Sequence, residues 1–305
     1  MTRALVIGSE GNVGAPLVQR LRSDGHEVLE ADIRPGSRAD YFVADINHPV
    51  DLLDAFDWHP EVVFLLSAMV SRATCEQASG LAVATNLGGV NNVLQLCKRV
   101  DAVTVFFSTS EIYGPTVGEM HEKLTLPRPN NRYGLSKLLG EQLVEYEVRA
   151  YGLRAVTLRP FMIYDETEEL GDHRSAMMRF ASGLAGGKAI DVHRGSARGW
   201  MHVSDAARAI EAAARVSEYA VINVGHPDVR PIEELAELIR CELDAPRELV
   251  RLVEQPPQMT LEKRPSLERQ RTILGIEPEV SLEDGVERVC RTIQSRLVLE
   301  RGADG

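Results

Sequence analysis

The 305-residue chain is long enough to bury one large core or two smaller ones, and its 44% hydrophobic and 26% charged residues are typical of a globular protein. A formal net charge of -11 argues against unaided binding to nucleic acid or to an anionic membrane surface. No apolar run approaches the length of a membrane span, so we expect a cytoplasmic protein with neither kind of partner.

In chain order, the first half alternates short β-branched runs with longer amphipathic stretches. Strands are predicted at 4–8, 26–32, 62–68, 103–109 and 153–160. Helices are predicted at 12–24, 85–100 and 132–152. This alternation is typical of parallel strands joined by crossover helices, so the sequence predicts an α/β fold built on a doubly wound parallel sheet, the Rossmann fold.

The alternation breaks after Pro160. Residues 161–200 are mixed and glycine-rich, and a helix at 203–216 and a strand at 219–225 follow. We therefore expect a Rossmann domain at 1–160, completed by about 199–226. A smaller region would consist of 161–198 and 227–305 and would bind the substrate. The four cysteines show no CxxC pair and no metal-ligand spacing, which predicts free thiols, a reducing compartment and no metal site.

A glycine-rich turn, GSEGNVG, connects the first strand to the first helix. Gly8, Gly11 and Gly14 allow a tight turn and a close approach of the backbone to a diphosphate at the helix N-terminus. Asp32 ends the second strand, where a carboxylate binds the adenosine ribose hydroxyls and repels a 2′-phosphate. The pattern predicts bound NAD rather than NADP, and Arg34 is the one contrary signal.

Tyr133 and Lys137 lie four residues apart in a predicted helix and therefore share one face. An ammonium group beside a phenol favours the phenolate, so we expect Lys137 to lower the pKa of Tyr133 and make it a usable general base. Hydroxyl groups at 108–110 end a nearby strand. Such a pair also arises by chance, but the nucleotide-binding pattern upstream favours a catalytic pair.

These motifs resemble those of the extended short-chain dehydrogenase/reductases that modify nucleotide sugars. The resemblance covers nearly the whole chain and rests on GSEGNVG, LLSA, TNLGGVNNVL, STSEIYG, YGLSK, LRPFMIYD, RGWMHVSDAARAI, KRP and LGIEPEVSLEDGV. It implies that bound NAD takes a hydride from carbon 4 of a hexose, which gives a 4-keto intermediate. Tyr133 would remove the hydroxyl proton, Lys137 would hold the nicotinamide ribose, and Thr109 would bond the reacting oxygen.

The same resemblance supplies further cofactor and substrate contacts. Asp45, where a third strand would end, either contacts the adenine amine or belongs to a local turn. Arg198 and Arg264 match arginines that hold the nucleotide diphosphate, although either could be a surface residue. Arg159 is expected to bond backbone carbonyls. The remaining cofactor contacts are Asn12, Val13, Ile46, Leu66, Ser67, Ala68, Asn86 and Pro160. Family relatives also pair the helices at 85–100 and 134–150 between subunits, which implies a homodimer.

Thr109, Ser110 and Glu111 resemble the TSE triplet of GDP-mannose 4,6-dehydratases and UDP-glucuronate decarboxylases. A 4-keto group acidifies the hydrogen on carbon 5, so Glu111 would remove it in a dehydratase, whereas a decarboxylase loses carbon dioxide from carbon 6. Simple epimerases usually carry a small residue at this position. Alternatively, Glu111 is a strand-end carboxylate that bonds local backbone, and the choice among epimerase, dehydratase and decarboxylase stays open.

Two departures from the family pattern concern the sugar. Met162 stands where an asparagine is common, and the chain is shorter than typical hexose 4,6-dehydratases. Two other functions compete: a ketone reductase with exchangeable NADPH, and a non-catalytic dinucleotide sensor. Asp32 argues against the first, and the Tyr133–Lys137 pair argues against the second.

Overall fold

The computed structural model describes residues 1–169, 175–254 and 260–303. In that part of the chain the strands are β1 (Arg3–Ile7), β2 (Glu27–Asp32), β3 (Tyr41–Val43), β4 (Val62–Leu65), β5 (Val103–Phe107), β6 (Glu119–Met120), β7 (Ala155–Pro160), β8 (Met162–Tyr164), β9 (Ile190–His193), β10 (Ala197–His202), β11 (Ala220–Val224), β12 (Val229–Pro231), β13 (Val250–Val253) and β14 (Glu262–Pro265).

The helices are α1 (Gly14–Ser23), α2 (Leu53–Asp57), α3 (Arg72–Gln77), α4 (Ser79–Val83), α5 (Val90–Val100), α6 (Arg132–Tyr151), α7 (Ala176–Ala185), α8 (Val203–Ala213), α9 (Ile232–Glu242), α10 (Glu268–Thr272) and α11 (Leu282–Ala303). Short 3₁₀ turns lie at Pro49–Leu52, Ser110–Tyr113 and Arg247–Leu249, and a π-helical turn lies at Ala84–Gly89.

The larger sheet has, within the described residues, seven parallel strands in the order β11-β7-β5-β4-β1-β2-β3. The strand order reverses between β1 and β4, so the crossovers leave these two strands in opposite directions. A crevice therefore opens beyond their carboxyl ends. The prediction of a doubly wound parallel sheet is confirmed.

Both faces of this sheet are covered, which explains why its strands read as nearly continuous apolar runs. On one face, Leu17 and Leu21 of α1 pack with Ile210 of α8. On the other face, Leu94 of α5 and Val144 of α6 pack over the same strands. The helices that approach the crevice are thereby fixed against the sheet that ends there.

The predicted helix at 85–100 differs from the structure at its start. Helix α4 runs through the π-helical turn at Ala84–Gly89 into α5, so the helical segment begins earlier than expected. Gly89 explains the local geometry, because a Cβ atom there would lie 2.5 Å from the Ile46 side chain. The widened turn lets the backbone approach the loop after β3.

The smaller region has a sheet of its own, ordered β12-β10-β14-β6, with β8 paired to β10. Buried residues of α7, α9 and α11, together with Trp200, form a separate core against it. Strand β10 belongs to this sheet, and α8, which packs on the larger sheet, begins directly after it at Val203. No helix in the described ranges is both long and apolar enough to cross a membrane. All four cysteines are free, as predicted.

Candidate active site

A cleft of about 440 Å³ lies at the crevice between β1 and β4. Its floor is the glycine-rich turn, where Gly8 has a φ of +92° and a Cβ atom would lie 2.8 Å from the amide nitrogen of Ser67. A Cβ atom on Gly14 would lie 2.1 Å from the carbonyl oxygen of Gly8. Only glycine fits both positions, so backbone amides and the N-terminus of α1 face the cleft directly.

Asp32 lies at the cleft wall with its carboxylate fixed by two backbone amides. Its two oxygens accept hydrogen bonds from Glu10 N and Arg34 N, each at 3.0 Å. The Arg34 guanidinium turns towards the carbonyl oxygen of Glu10, at 2.9 Å. The carboxylate therefore keeps free lone pairs for the hydroxyl groups of a ribose.

Most of the predicted cofactor contacts line this one cleft. They are Gly8, Gly11, Asn12, Val13, Gly14, Asp32, Arg34, Leu66, Ser67, Ala68, Tyr133, Lys137 and Pro160.

Three predicted cofactor contacts lie outside the lining, and their roles stay predictions. Asp45 accepts hydrogen bonds from Asn47 within its own turn, and Ile46 is buried. Asn86 is fully buried, where its amide bonds both backbone polar groups of Met69 and donates to Ser136 at 2.9 Å. Asn86 thus supports the cleft wall from behind.

Three other cleft residues were not among the predicted cofactor contacts, although Ser108 is one of the hydroxyl residues noted at the strand end. Ser108 lines the cleft, and its buried Oγ has no hydrogen-bond partner among the described residues. Asp165 and Glu168 line the opposite side, and Glu168 accepts a hydrogen bond from Asn12 at 3.2 Å. A glycine cradle, a ribose-binding carboxylate and an unpaired hydroxyl together fit a dinucleotide.

Tyr133 and Lys137 lie in the first turns of α6, which Asn131 caps by accepting a hydrogen bond from Gly134 N at 2.8 Å. Burial raises the pKa of Tyr133, and a side-chain hydrogen bond with Thr109 opposes that rise. The pKa of Tyr133 is therefore raised overall in the protein alone, not lowered as expected. Burial also lowers the pKa of Lys137, to about 7, because its ammonium group faces the Phe106 ring rather than water.

Glu111 forms a buried ion pair that the sequence did not predict. Lys263, on β14, is only 6% exposed and donates to the Glu111 carboxylate. Its Nζ also lies 3.5 Å from Ser110 Oγ. Asn131 donates to Glu111 at 2.8 Å, and Arg72 approaches it to 3.8 Å. The alternative interpretation of Glu111, a strand-end carboxylate that bonds local backbone, does not describe these contacts, because the partners are side chains of other segments.

The pKa of Glu111 lies below its ordinary value. Burial works to raise it, but the Lys263 ammonium, helped by Arg72 and Asn131, outweighs burial. Burial in turn lowers the pKa of Lys263, although Glu111 opposes this. Glu111 is thus a stabilised carboxylate, and Lys263 is an ammonium group from which a proton leaves more readily than usual.

The two arginines matched to the substrate diphosphate have other partners. Arg198 is buried and donates to the backbone carbonyls of Ala197, Thr260 and Leu261, at 2.6 to 2.7 Å. Arg264 is exposed and pairs with Glu262 on its own strand. Successive side chains of a strand point to opposite faces, so Lys263 on β14 points inward and Arg264 points outward. This alternation is the sequence signal from which a buried Lys263 could have been predicted. A diphosphate contact by either arginine stays a prediction.

The family model described as "NAD dependent epimerase/dehydratase family" matches residues 4–225. The chain belongs to this family. Its members depend on NAD, so the chain is an NAD-dependent enzyme. The competing hypotheses of an NADPH-consuming reductase and a non-catalytic sensor are not favoured.

Relatives in the family cover nearly all of the chain. UDP-glucuronic acid decarboxylase 6 of Arabidopsis thaliana is 26% identical over 97% of this chain and 90% of its own length. The UDP-N-acetyl-alpha-D-glucosaminuronate decarboxylase of Bacillus cytotoxicus is 26% identical over 95% of this chain and 97% of its own. The solved UDP-glucose 4-epimerase of Thermotoga maritima, 23% identical, has a TM-score of 0.89 and covers 96% of this chain and 99% of its own. That likeness confirms the fold.

Proposed function

We propose that this enzyme decarboxylates a nucleotide sugar whose hexose carries a carboxylate at carbon 6, by way of a 4-keto intermediate. The observation that carries the proposal is the buried Glu111–Lys263 pair beside the hydrogen-bonded Tyr133 and Thr109. Two relatives that cover nearly the whole chain are named as decarboxylases of UDP-linked uronic acids, which supports the same chemistry.

In the proposed reaction, NAD held by the glycine-rich turn and Asp32 would supply the hydride acceptor for carbon 4 and the donor for the hydride's return. Tyr133 takes the carbon 4 hydroxyl proton while Thr109 bonds the same oxygen, and the nearby Lys137 charge offsets the cost of forming a buried phenolate. The resulting β-keto acid loses carbon dioxide when the bond between carbons 5 and 6 breaks and its electron pair forms an enolate. Lys263 then gives a proton to carbon 5, and a proton from solvent restores the Lys263 ammonium group.

The electrostatics of Glu111 favour decarboxylation over the other two outcomes. A dehydratase needs a base that removes the carbon 5 hydrogen, but an ion-paired carboxylate with a lowered pKa is a weak base. Simple epimerases usually carry a small residue at the Glu111 position, so an ion-paired carboxylate there does not favour that outcome. Decarboxylation needs no proton abstraction from carbon 5. Glu111 would then orient Lys263 and the reacting groups.

The test is mass spectrometry after incubation of the NAD-loaded protein in deuterated water with UDP-, GDP- and dTDP-sugars, with and without a carboxylate at carbon 6. We expect loss of carbon dioxide from a uronic acid substrate and one deuterium at carbon 5 of the product. Loss of water from a neutral hexose would replace the proposal with a dehydratase. An unchanged mass with altered chromatographic retention would replace it with an epimerase.

The Glu111→Gln variant tests the role of the pair within the reaction. Reduction of bound NAD should persist, because Tyr133, Lys137 and Thr109 are intact, and absorbance of the reduced cofactor should appear on substrate addition. Product formation should fall towards the lower end of the about 10²–10⁴-fold loss known for a missing general base, because Glu111 orients rather than abstracts. Glu119→Gln, an exposed change on β6, is the matched control. Unimpaired product formation would remove Glu111 from the mechanism.

We also propose that the enzyme is a cytoplasmic homodimer. Large apolar side chains are exposed on α6, one of the two helices that family relatives pair, and on α4, which runs into the other: Leu135, Tyr146 and Tyr151 on α6, and Leu81 and Val83 on α4. Three of the four free cysteines are buried thiols, which suits a reducing compartment. A monomeric mass by light scattering at micromolar concentration would contradict the dimer, and recovery outside the cytoplasmic fraction would contradict the location.

A further inference from the structure

Helix α6 carries a second buried charge one turn after Lys137. Glu141 is 4% exposed and lies four residues further on, hence on the same face of the helix. Arg159, 5% exposed on the larger sheet's strand β7, grips its carboxylate at both oxygens. The distances are 3.0 Å from Nε to Oε1 and 2.7 Å from Nη2 to Oε2. Such bidentate geometry holds a carboxylate ionised and fixed in orientation.

Arg159 also reaches the loop that carries the TSE triplet. Its Nη1 donates to the Tyr113 hydroxyl at 2.9 Å, and that hydroxyl donates to Asn223 at 2.7 Å. Arg159 contacts a backbone carbonyl only at Glu122, at 3.4 Å, within the described residues. The prediction that Arg159 hydrogen-bonds mainly to backbone carbonyls is therefore wrong, because its closest partners are side chains. Arg159 thus bonds both to α6, which carries Tyr133 and Lys137, and to the loop that carries the TSE triplet.

We propose that Glu141 is a positioning residue that keeps the ammonium group of Lys137 charged and in place, and that Arg159 holds Glu141 for this task. Lys137 is 1% exposed, and its Nζ lies 4.4 Å from the centre of the Phe106 ring. A buried ammonium group loses its proton unless a nearby anion compensates for the lost water. A buried carboxylate without a partner would likewise become neutral, so Glu141 needs Arg159.

The surrounding charges leave this task to Glu141. Burial lowers the pKa of Lys137, and Glu141 is the group that opposes it. Other charges on elements packed against α6 are paired elsewhere. The pairs are Glu76 with Arg132, Arg72 and Lys263 with Glu111, and Lys98 with Glu147. Cys75, on α3, has a raised pKa and stays neutral. The inference depends on the proposed reaction in one respect: that reaction uses the positive charge of Lys137.

The titration of Lys137 itself tests the inference without any substrate. The chain has five lysines, so protein labelled with ¹³C at lysine Cε gives five signals, and Lys137→Arg assigns the relevant one. In the NAD-loaded protein, Glu141→Gln should lower the pH at which Lys137 titrates by about one pH unit or more. Glu141→Asp, which keeps the charge, should restore most of the wild-type behaviour.

Glu147→Gln is the matched control. Glu147 lies on the same helix, is 4% exposed and bonds Lys98 at 2.6 Å, so its loss removes an equally buried ion pair. It lies ten residues beyond Lys137, about 15 Å along the helix. We expect it to lower stability while the Lys137 titration stays unchanged. A purely structural role for Glu141 predicts that same result for Glu141→Gln.

The Glu141→Gln variant could fail to fold, because it leaves the buried Arg159 without its carboxylate partner. A double variant avoids this problem. Glu141→Gln with Arg159→Met removes both charges, which costs far less than removal of one partner. Lys137 should still titrate at a lower pH, because Glu141 is the group that supports its charge. A wild-type titration of Lys137 in either variant overturns the inference. Because no turnover is measured, that failure is distinct from failure of the decarboxylase proposal.

Discussion

Replacement of Lys263 by methionine tests the electrostatics of the site most directly. The variant keeps the length of the side chain but removes the ammonium group from Glu111. Loss of one partner from a fully buried ion pair costs about 3–5 kcal/mol. Glu111 keeps Asn131 at 2.8 Å and Arg72 at 3.8 Å, and 18% of its side chain is exposed. We therefore expect the free energy of unfolding to fall by about 2 kcal/mol at pH 7.

The stability difference should depend on pH. In the wild-type protein the pKa of Glu111 is lower when folded, so its ionisation stabilises the fold above the ordinary value of 4.5. That contribution is lost as the pH falls through the folded pKa. Without Lys263, burial raises the folded pKa, so the folded variant favours the neutral carboxyl and is penalised mainly at higher pH. The gap between variant and wild type should narrow as the pH falls from 7 towards 4.

Urea unfolding followed by circular dichroism measures both effects. Lys188→Met removes an exposed lysine and serves as the control. The double variant Glu111→Gln with Lys263→Met should recover most of the lost stability, because neither charge is orphaned. A loss below about 0.5 kcal/mol in Lys263→Met, the size of an ordinary surface change, would refute the buried pair. If the stability difference between Lys263→Met and the wild type grows as the pH falls, the assigned direction of the Glu111 pKa shift is refuted.

Three further predictions concern catalysis and the cofactor. Tyr133→Phe should reduce turnover by about 10²–10⁴-fold while circular dichroism and NAD content stay near wild type, and undiminished turnover would rule out Tyr133 as the base. Gly14→Ala should weaken NAD binding in a fluorescence titration, because its Cβ would overlap the Gly8 carbonyl. Gly80→Ala, with open space around it, is the control. Denatured protein should release NAD(H), because Asp32 repels a 2′-phosphate, and released NADP(H) would contradict this.

Features that depend only on neighbours along the chain could be predicted from the amino-acid sequence. Alternating β-branched runs and amphipathic stretches predict the parallel sheet, because burial on both faces demands continuous apolar strands. The spacing of Gly8, Gly11 and Gly14 predicts the cradle, since only glycine lets the turn and helix approach so closely. Four-residue spacing puts Tyr133 and Lys137 on one face of a helix whatever the rest of the fold does.

The pairing of buried charges could not be predicted from the sequence, because it depends on how distant segments pack in the fold. Lys263 and Glu111 are 152 residues apart, and their contact depends on the pairing of β14 with β10 in the second sheet. A shift of one residue there would turn Arg264 inward and Lys263 outward, which no local pattern reveals. The partners of Arg159 were equally hidden, because a buried guanidinium takes whichever carboxylate the packing of α6 brings to β7. Strand and turn chemistry is local, whereas the pairing of buried charges follows from register and packing.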